Sequence, residues 1–195
     1  IGTPVSGCPT VRIDDTAAMV QATSHVIDLG HRDIAYIGTV PENVAHIQTP
    51  MARREAFRDT LLAHGLQVRE EWMLSCDWTA DSALTHTMTL LQSASRPTAI
   101  VAASDEMAFG ALMAASRCGV KVPEELSVIG LDDHHLSSVM GLTTVRQDVA
   151  AQGDAAAKLL LGALLEGLPL SPTLDQVIPT ELVVRASTAP PLAAG

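Results

Sequence analysis

The strongest constraint on this chain is a rhythm: a short apolar run, a turn, then a longer segment whose apolar residues recur at helical spacing. Ile34–Gly38 and residues 98–103 and 126–131 are the apolar runs, bounded by turn formers, as expected for strands buried on both faces. Segments of the other kind lie between them. Ala18, Ala22, Val26 and Leu29 form a helical stripe after the N-cap candidates Asp14, Asp15 and Thr16, and Gly30 supplies a stop. The same reading predicts helices over 51–64, closed by Gly65, over 81–92, from the cap Ser104 to Gly119, and from the cap Asp148 to Leu165 before Gly167 and Pro169. Shorter extended runs fall at 11–13, 72–76, 143–146, 174–178 and 181–185. Strands alternating with helices predict an α/β fold, a doubly wound and mostly parallel sheet with helices on both faces. Ligands of such sheets sit at the carboxyl ends of the strands, where the loop after Gly38, Ser104–Asp105 and Asp132–Asp133 fall.

Composition narrows what this sheet can serve. Hydrophobic residues make up 47% of the 195 and aromatics 3%, so Ala, Val, Leu and Ile must fill the core. The net charge is −10, from 12 basic and 22 acidic residues, and the one basic cluster is Arg53, Arg54 and Arg58. Gripping nucleic acid needs a basic patch to neutralise phosphates, so these residues are not expected to bind it. No apolar run approaches the roughly 20 residues that span a bilayer, and residues 1–9 do not read as a signal peptide. Cys8, Cys76 and Cys118 are odd in number and widely spaced, which fits a reducing, cytoplasmic setting better than a disulfide framework.

Signatures of catalysis are missing from the sequence: it has no GxGxxG, GxxxxGK[ST], GxSxG or HExxH. A non-enzyme without metal or cofactor is the expectation. His134 and His135 are adjacent, and neighbours on a strand point to opposite faces, so they make a poor chelating pair and are read as polar loop residues. Asp132 and Asp133 could act as acid and base, or one could accept hydrogen bonds from a ligand hydroxyl while the other caps the next turn. The second reading is favoured, because no nucleophile or phosphate cradle accompanies them. Trp78, in a polar loop of an aromatic-poor chain, either stacks on a flat ligand or packs on the next helix. Arg53 and Arg54 are either solvated helix residues or a clamp on ligand oxygens.

Several segments resemble the lactose/galactose-repressor family of transcription regulators. They are LGHRDIAYIG at 29–38, RPTAI at 96–100, SDEMA at 104–108 with Gly110-Ala111, VPEELSVIG at 122–130 with Asp132-Asp133, and LTTVRQ at 142–147. The closing Pro179, Glu181, Leu182, Val183, Arg185, Ser187 and Thr188 match as well. The resemblance implies a type I periplasmic-binding-protein-like fold, with an effector, mostly a sugar and in one branch a purine, held between two lobes. It places Arg53 at the effector-binding arginine, Trp78 at the stacking aromatic, and Ser104 and Asp132 at polar contacts. Asp14, Asp105 and Asp133 are further cleft candidates. Family members open with a helix-turn-helix head, a hinge helix and the first half of an amino-terminal lobe, none of which is recognisable here. Residues 1–188 are therefore expected to form mainly the carboxyl-terminal lobe of the sensor, incomplete at its amino-terminal side, with a flexible tail over 189–195. A homodimer through the helix after Ser104 and the 133–141 loop is implied, with operator DNA reached only through a head that these residues lack. The family has Gly where this chain has Ala56, before Phe57. The alternative is an exported sugar-binding protein of an uptake transporter.

Overall fold

The structure, a computed structural model, describes residues 2, 7–39 and 48–192. Along the chain run β1 (Thr10–Arg12), α1 (Asp15–Asp28), β2 (Ile34–Gly38), α2 (Gln48–Ala63), a 3-10 turn (Glu70–Trp72), β3 (Met73–Ser75), α3 (Ala80–Leu91), β4 (Ala99–Ala102) and α4 (Asp105–Arg117). Then come β5 (Ser127–Asp132), β6 (Thr143–Gln147), α5 (Val149–Glu166), β7 (Asp175–Val177) and β8 (Thr180–Val183). Six strands form one sheet in the order β3-β2-β4-β5-β6-β8. Its pairings are parallel except the last, where β8 runs antiparallel to β6. β1 and β7 form a separate parallel pair.

β2 and β4 are buried at every position, so both faces of the large sheet are covered, and α1 packs with α2 while α3 packs with α4. With few aromatics the interior is filled by small residues, and close approach of backbones replaces bulk. Gly110 in α4 shows why: a Cβ there would lie 2.2 Å from the Ala80 carbonyl oxygen of α3. Helix starts follow the caps. Asp14 accepts from Ala17 N–H, Ser104 from Met107 N–H and Asp148 from Ala151 N–H.

The second layer is thinner. α5 buries Gln152 and Ala155, whereas Leu164 and Leu165 are each 78% exposed and β7 is exposed throughout.

Several boundaries differ from the sequence reading. α2 begins at Gln48, because Pro50 fits a first helical turn, where no donor is needed. Trp72 closes the 3-10 turn and β3 starts after it. The runs at 174–178 and 181–185 join different sheets. The segment expected to be loose from residue 189 is fastened at its start. Ala189 N–H donates to Ser127 Oγ at 3.0 Å, and its carbonyl lies 2.8 Å from Nε2 of the buried His31.

Candidate functional site

The carboxyl ends of β2, β4 and β5 lie side by side, and the polar residues that follow them gather around one guanidinium. Arg53, on the second turn of α2, is only 5% exposed. Its Nε donates to Asp15 Oδ1 at 2.8 Å, its Nη2 pairs with the same oxygen at 2.7 Å, and its Nη1 donates to the Ala103 carbonyl at 2.5 Å. Asp15 is further fixed by Thr49 Oγ1 at 3.1 Å. Two partners thus engage all three guanidinium nitrogens before any ligand arrives. Its Cζ lies 5.9 Å from the ring centroid of Trp78, which sits between β3 and α3 and is 37% exposed. A half-exposed ring braced by a fixed cation is a ready stacking surface.

Asp132 ends β5 in an unusual state. Its φ is +140°, a conformation that side-chain-bearing residues rarely adopt, and Asp133 follows at +57°. Burial pushes the Asp132 carboxyl up to about 6, and the charge of Asp105 adds to this, although Arg53, Gln147 and the Asp105 N–H pull the other way. Gln147 Nε2 donates to Asp132 Oδ1 at 2.6 Å, and Gln152 Nε2 supports Gln147 at 3.3 Å. A strained, part-buried carboxylate beside a fixed arginine is costly to hold, and such strain concentrates where a ligand is gripped.

Arg53, Trp78 and Asp132 are therefore brought together, and Ser104 adjoins them through Ala103. Ser104 is 6% exposed, and its Oγ accepts from Met107 N–H at 3.3 Å. The three further candidates are engaged within the fold. Asp14 is the α1 cap. Asp105 is fully buried; its Oδ1 accepts from Thr144 at 2.6 Å, and its Oδ2 accepts from Ser137 at 2.5 Å and His134 N–H at 2.8 Å. Burial pushes the Asp105 carboxyl above its ordinary value despite these bonds. Asp133 bridges Arg146 at 2.7 Å and Arg185 at 2.6 Å, which hold its carboxyl below the ordinary value against the opposing effect of burial. Arg54 points elsewhere, 3.7 Å from Glu70.

Two participants escaped the sequence reading. Asp15 reads in the sequence only as a cap candidate, because nothing local announces a partner on α2. Gln147 stood inside the LTTVRQ segment without a role. His134 and His135 lie beyond the end of β5, as polar loop residues, and their rings lie together with centroids 4.0 Å apart, so the opposite-face geometry of a strand does not apply to them. Among the described residues no cluster of three His, Cys, Asp or Glu is placed to hold a metal. No described helix is long and apolar enough to cross a membrane. Residues 40–47 of the loop after Gly38 lie outside the described residues.

Comparison with known proteins adds an independent line. The profile of the periplasmic binding protein-like domain matches residues 23–188. The catabolite control protein A of Priestia megaterium is 35% identical over 155 residues, covering 78% of this chain and 46% of that protein. The solved complex of the transcriptional regulator CelR with cellobiose is 30% identical, with a TM-score of 0.84, over 95% of this chain and 57% of that one. A LacI family regulator from Enterococcus faecium, solved with bound ribose, is 29% identical, with a TM-score of 0.81, over 95% and 67%. The chain spans about half the length of the curated relatives it matches.

Proposed function

Because this chain belongs to the periplasmic binding protein-like domain family, in its LacI/GalR branch of transcription regulators, we propose that it senses a small effector and relays its presence to DNA. The observation that carries the reading is Arg53, pre-fixed by Asp15 and Ala103 beside the half-exposed ring of Trp78. The effector is a sugar or polyol; the CelR structure holds cellobiose and the Enterococcus faecium structure holds ribose. Its ring stacks on Trp78, its hydroxyls reach Arg53 and Asp132, and Ser104 adds a polar contact. No bond is made or broken, so the protein is a sensor and not an enzyme. The relatives are transcription regulators, which favours this reading over an exported transport protein.

A second wall for the cleft is provided on the side of α5 and the β1–β7 pair, by a lobe that covers the exposed leucines of α5. Effector binding selects one lobe arrangement, and by linkage changes DNA affinity at a head outside these acidic residues, in the cytoplasm. Two copies pair through the 133–141 loop, where Leu136 is 43%, Val139 79% and Met140 46% exposed, together with Met113 of α4. Most of the 107–115 stretch does not serve this surface, because Met107, Ala108, Ala111, Ala114 and Ala115 are core.

The test is a thermal-shift panel of cellobiose, D-ribose and other sugars on the wild type and Trp78→Ala. A sugar at 100 times its dissociation constant should add about 2.7 kcal/mol of stability. That gain should vanish in Trp78→Ala. Equal shifts in both proteins would remove Trp78 from the site, and no shift with any sugar would remove the sugar-sensing reading.

A further inference from the structure

The chain contains one tyrosine, Tyr36, in the middle of β2. It is fully buried, with its ring centroid 5.1 Å from that of Phe57 in α2. The ring runs along the strand towards the carboxyl end. A Cβ at Gly38 would meet Tyr36 Oη, Cε1 and Cζ at 2.3–2.5 Å, so glycine at the last position of β2 is what admits the phenol. The hydroxyl is thereby delivered to the end of the strand that carries the site, within reach of the charges of Arg53 and Arg54.

For packing alone phenylalanine would serve as well, yet the hydroxyl is there and has no hydrogen-bond partner among the described residues. Arg54 Nη1 is likewise buried and unpartnered. Buried polar atoms are nearly always satisfied, and exceptions call for an explanation. The neighbouring Arg53 supplies no acceptor, because a guanidinium only donates. The site is therefore polarised. At the end of β2 one donor, Tyr36 O–H, lacks an acceptor; at the end of β5 the carboxylate of Asp132 is itself an acceptor.

We infer that Tyr36 is a specificity-determining contact whose hydroxyl donates to an effector oxygen that carries no hydrogen, a carboxylate or carbonyl, and so favours a sugar acid over the matching neutral sugar. This rests on the sensor reading above. It makes the effector's orientation definite: its acid end lies towards β2 and α2, and its hydroxyls lie towards Asp132.

A single tyrosine makes the test direct. With carbon-13 placed at Tyr Cζ, the protein gives one ring signal, to be followed while D-glucuronate or D-glucose is added. Glucuronate is expected to move that signal saturably and to bind at least about fivefold more tightly than glucose, the scale of one hydrogen bond. Tyr36→Phe should erase the preference and leave the melting temperature of the unliganded protein unchanged or raised, since no internal bond is lost. A preference kept by Tyr36→Phe, or a signal unmoved by both sugars, overturns the inference. So does a lower melting temperature of unliganded Tyr36→Phe. If the signal stays still while a neutral sugar stabilises the wild type but not Trp78→Ala, the inference fails and the sensor reading stands. If no sugar stabilises the wild type, both fail.

Discussion

Gly110 and Gly153 both lie inside helices, and their surroundings are opposite. A methyl group on Gly110 would press into the Ala80 carbonyl at 2.2 Å, whereas one on Gly153 would meet nothing within 4 Å. The contrast extends to the layers around them. α4 buries most of its apolar side against α3 and the six-stranded sheet. α5, with its run of leucines, leaves Leu160, Leu161, Leu164 and Leu165 more than half exposed. Apolar content thus does not say how a helix is covered. The six-stranded layer is closed and holds Arg53, Trp78 and Asp132 in place, while the α5 layer is open on the side where a partner surface has to come.

Matched truncations in the two layers should have very different costs. Ile129→Ala, at a fully buried site in β5, should cost about 2–5 kcal/mol in denaturant unfolding. Leu164→Ala, at a 78% exposed site in α5, should change stability by less than about 0.5 kcal/mol. Similar losses at both sites would show that α5 is covered in solution. The glycines give a second pair. Gly110→Ala should cost about 1–3 kcal/mol by overpacking, and Gly153→Ala should add up to about 1 kcal/mol through helix propensity alone.

Within the closed layer Asp132 is the exception, and pH isolates it. Its folded carboxyl lies near 6, against the ordinary 3.8. Below the ordinary range both the folded and unfolded states hold the proton, and the site costs nothing. As pH rises towards 6 the unfolded chain ionises first, so stability falls across that window. Asp132→Asn should flatten this slope and raise stability near neutral pH by about 1–2 kcal/mol. Binding runs in the opposite sense, because a carboxylate accepts from ligand hydroxyls and a carboxylic acid does so poorly. Effector affinity should drop about tenfold from pH 7 to pH 5 in the wild type, following the ionised fraction, and hold steady in Asp132→Asn. A wild-type affinity indifferent to pH would remove Asp132 from the contact set.

Much of this was legible in the residues. The strands over 34–38, within 98–103 and across 126–131 came from largely apolar runs, and the caps Asp14, Ser104 and Asp148 from their chemistry. Strand partnership was not legible: nothing in 174–178 says that it pairs with β1, because a short exposed strand carries no periodic signal of its neighbour. The same limit hid the Arg53–Asp15 pair, which joins two helices across the fold. The grouping of Arg53, Trp78, Ser104 and Asp132 was proposed from family resemblance. Their geometry, with Arg53 locked and Asp132 strained, could come only from coordinates. The placement of His134 and His135 in the loop after the 126–131 run follows from the sequence, but the closeness of their rings does not, because it depends on how the positive φ values at Asp132 and Asp133 turn the chain. The segment from Ala189 is expected to be flexible, yet Ser127 and His31 hold Ala189 itself, and neither partner is announced by the local sequence.

The most direct measurement uses the two tryptophans. Trp72 is buried and Trp78 is half-exposed, so tryptophan emission should respond to a sugar through Trp78 alone. Cellobiose, D-ribose and D-glucuronate would be titrated into the wild type and Trp78→Phe at pH 7. A saturable emission change, with protection of the ring from iodide quenching, is expected in the wild type and absent in Trp78→Phe. A sugar that stabilises the protein while leaving Trp78 open to iodide would contradict the placement of the effector between Arg53, Trp78 and Asp132.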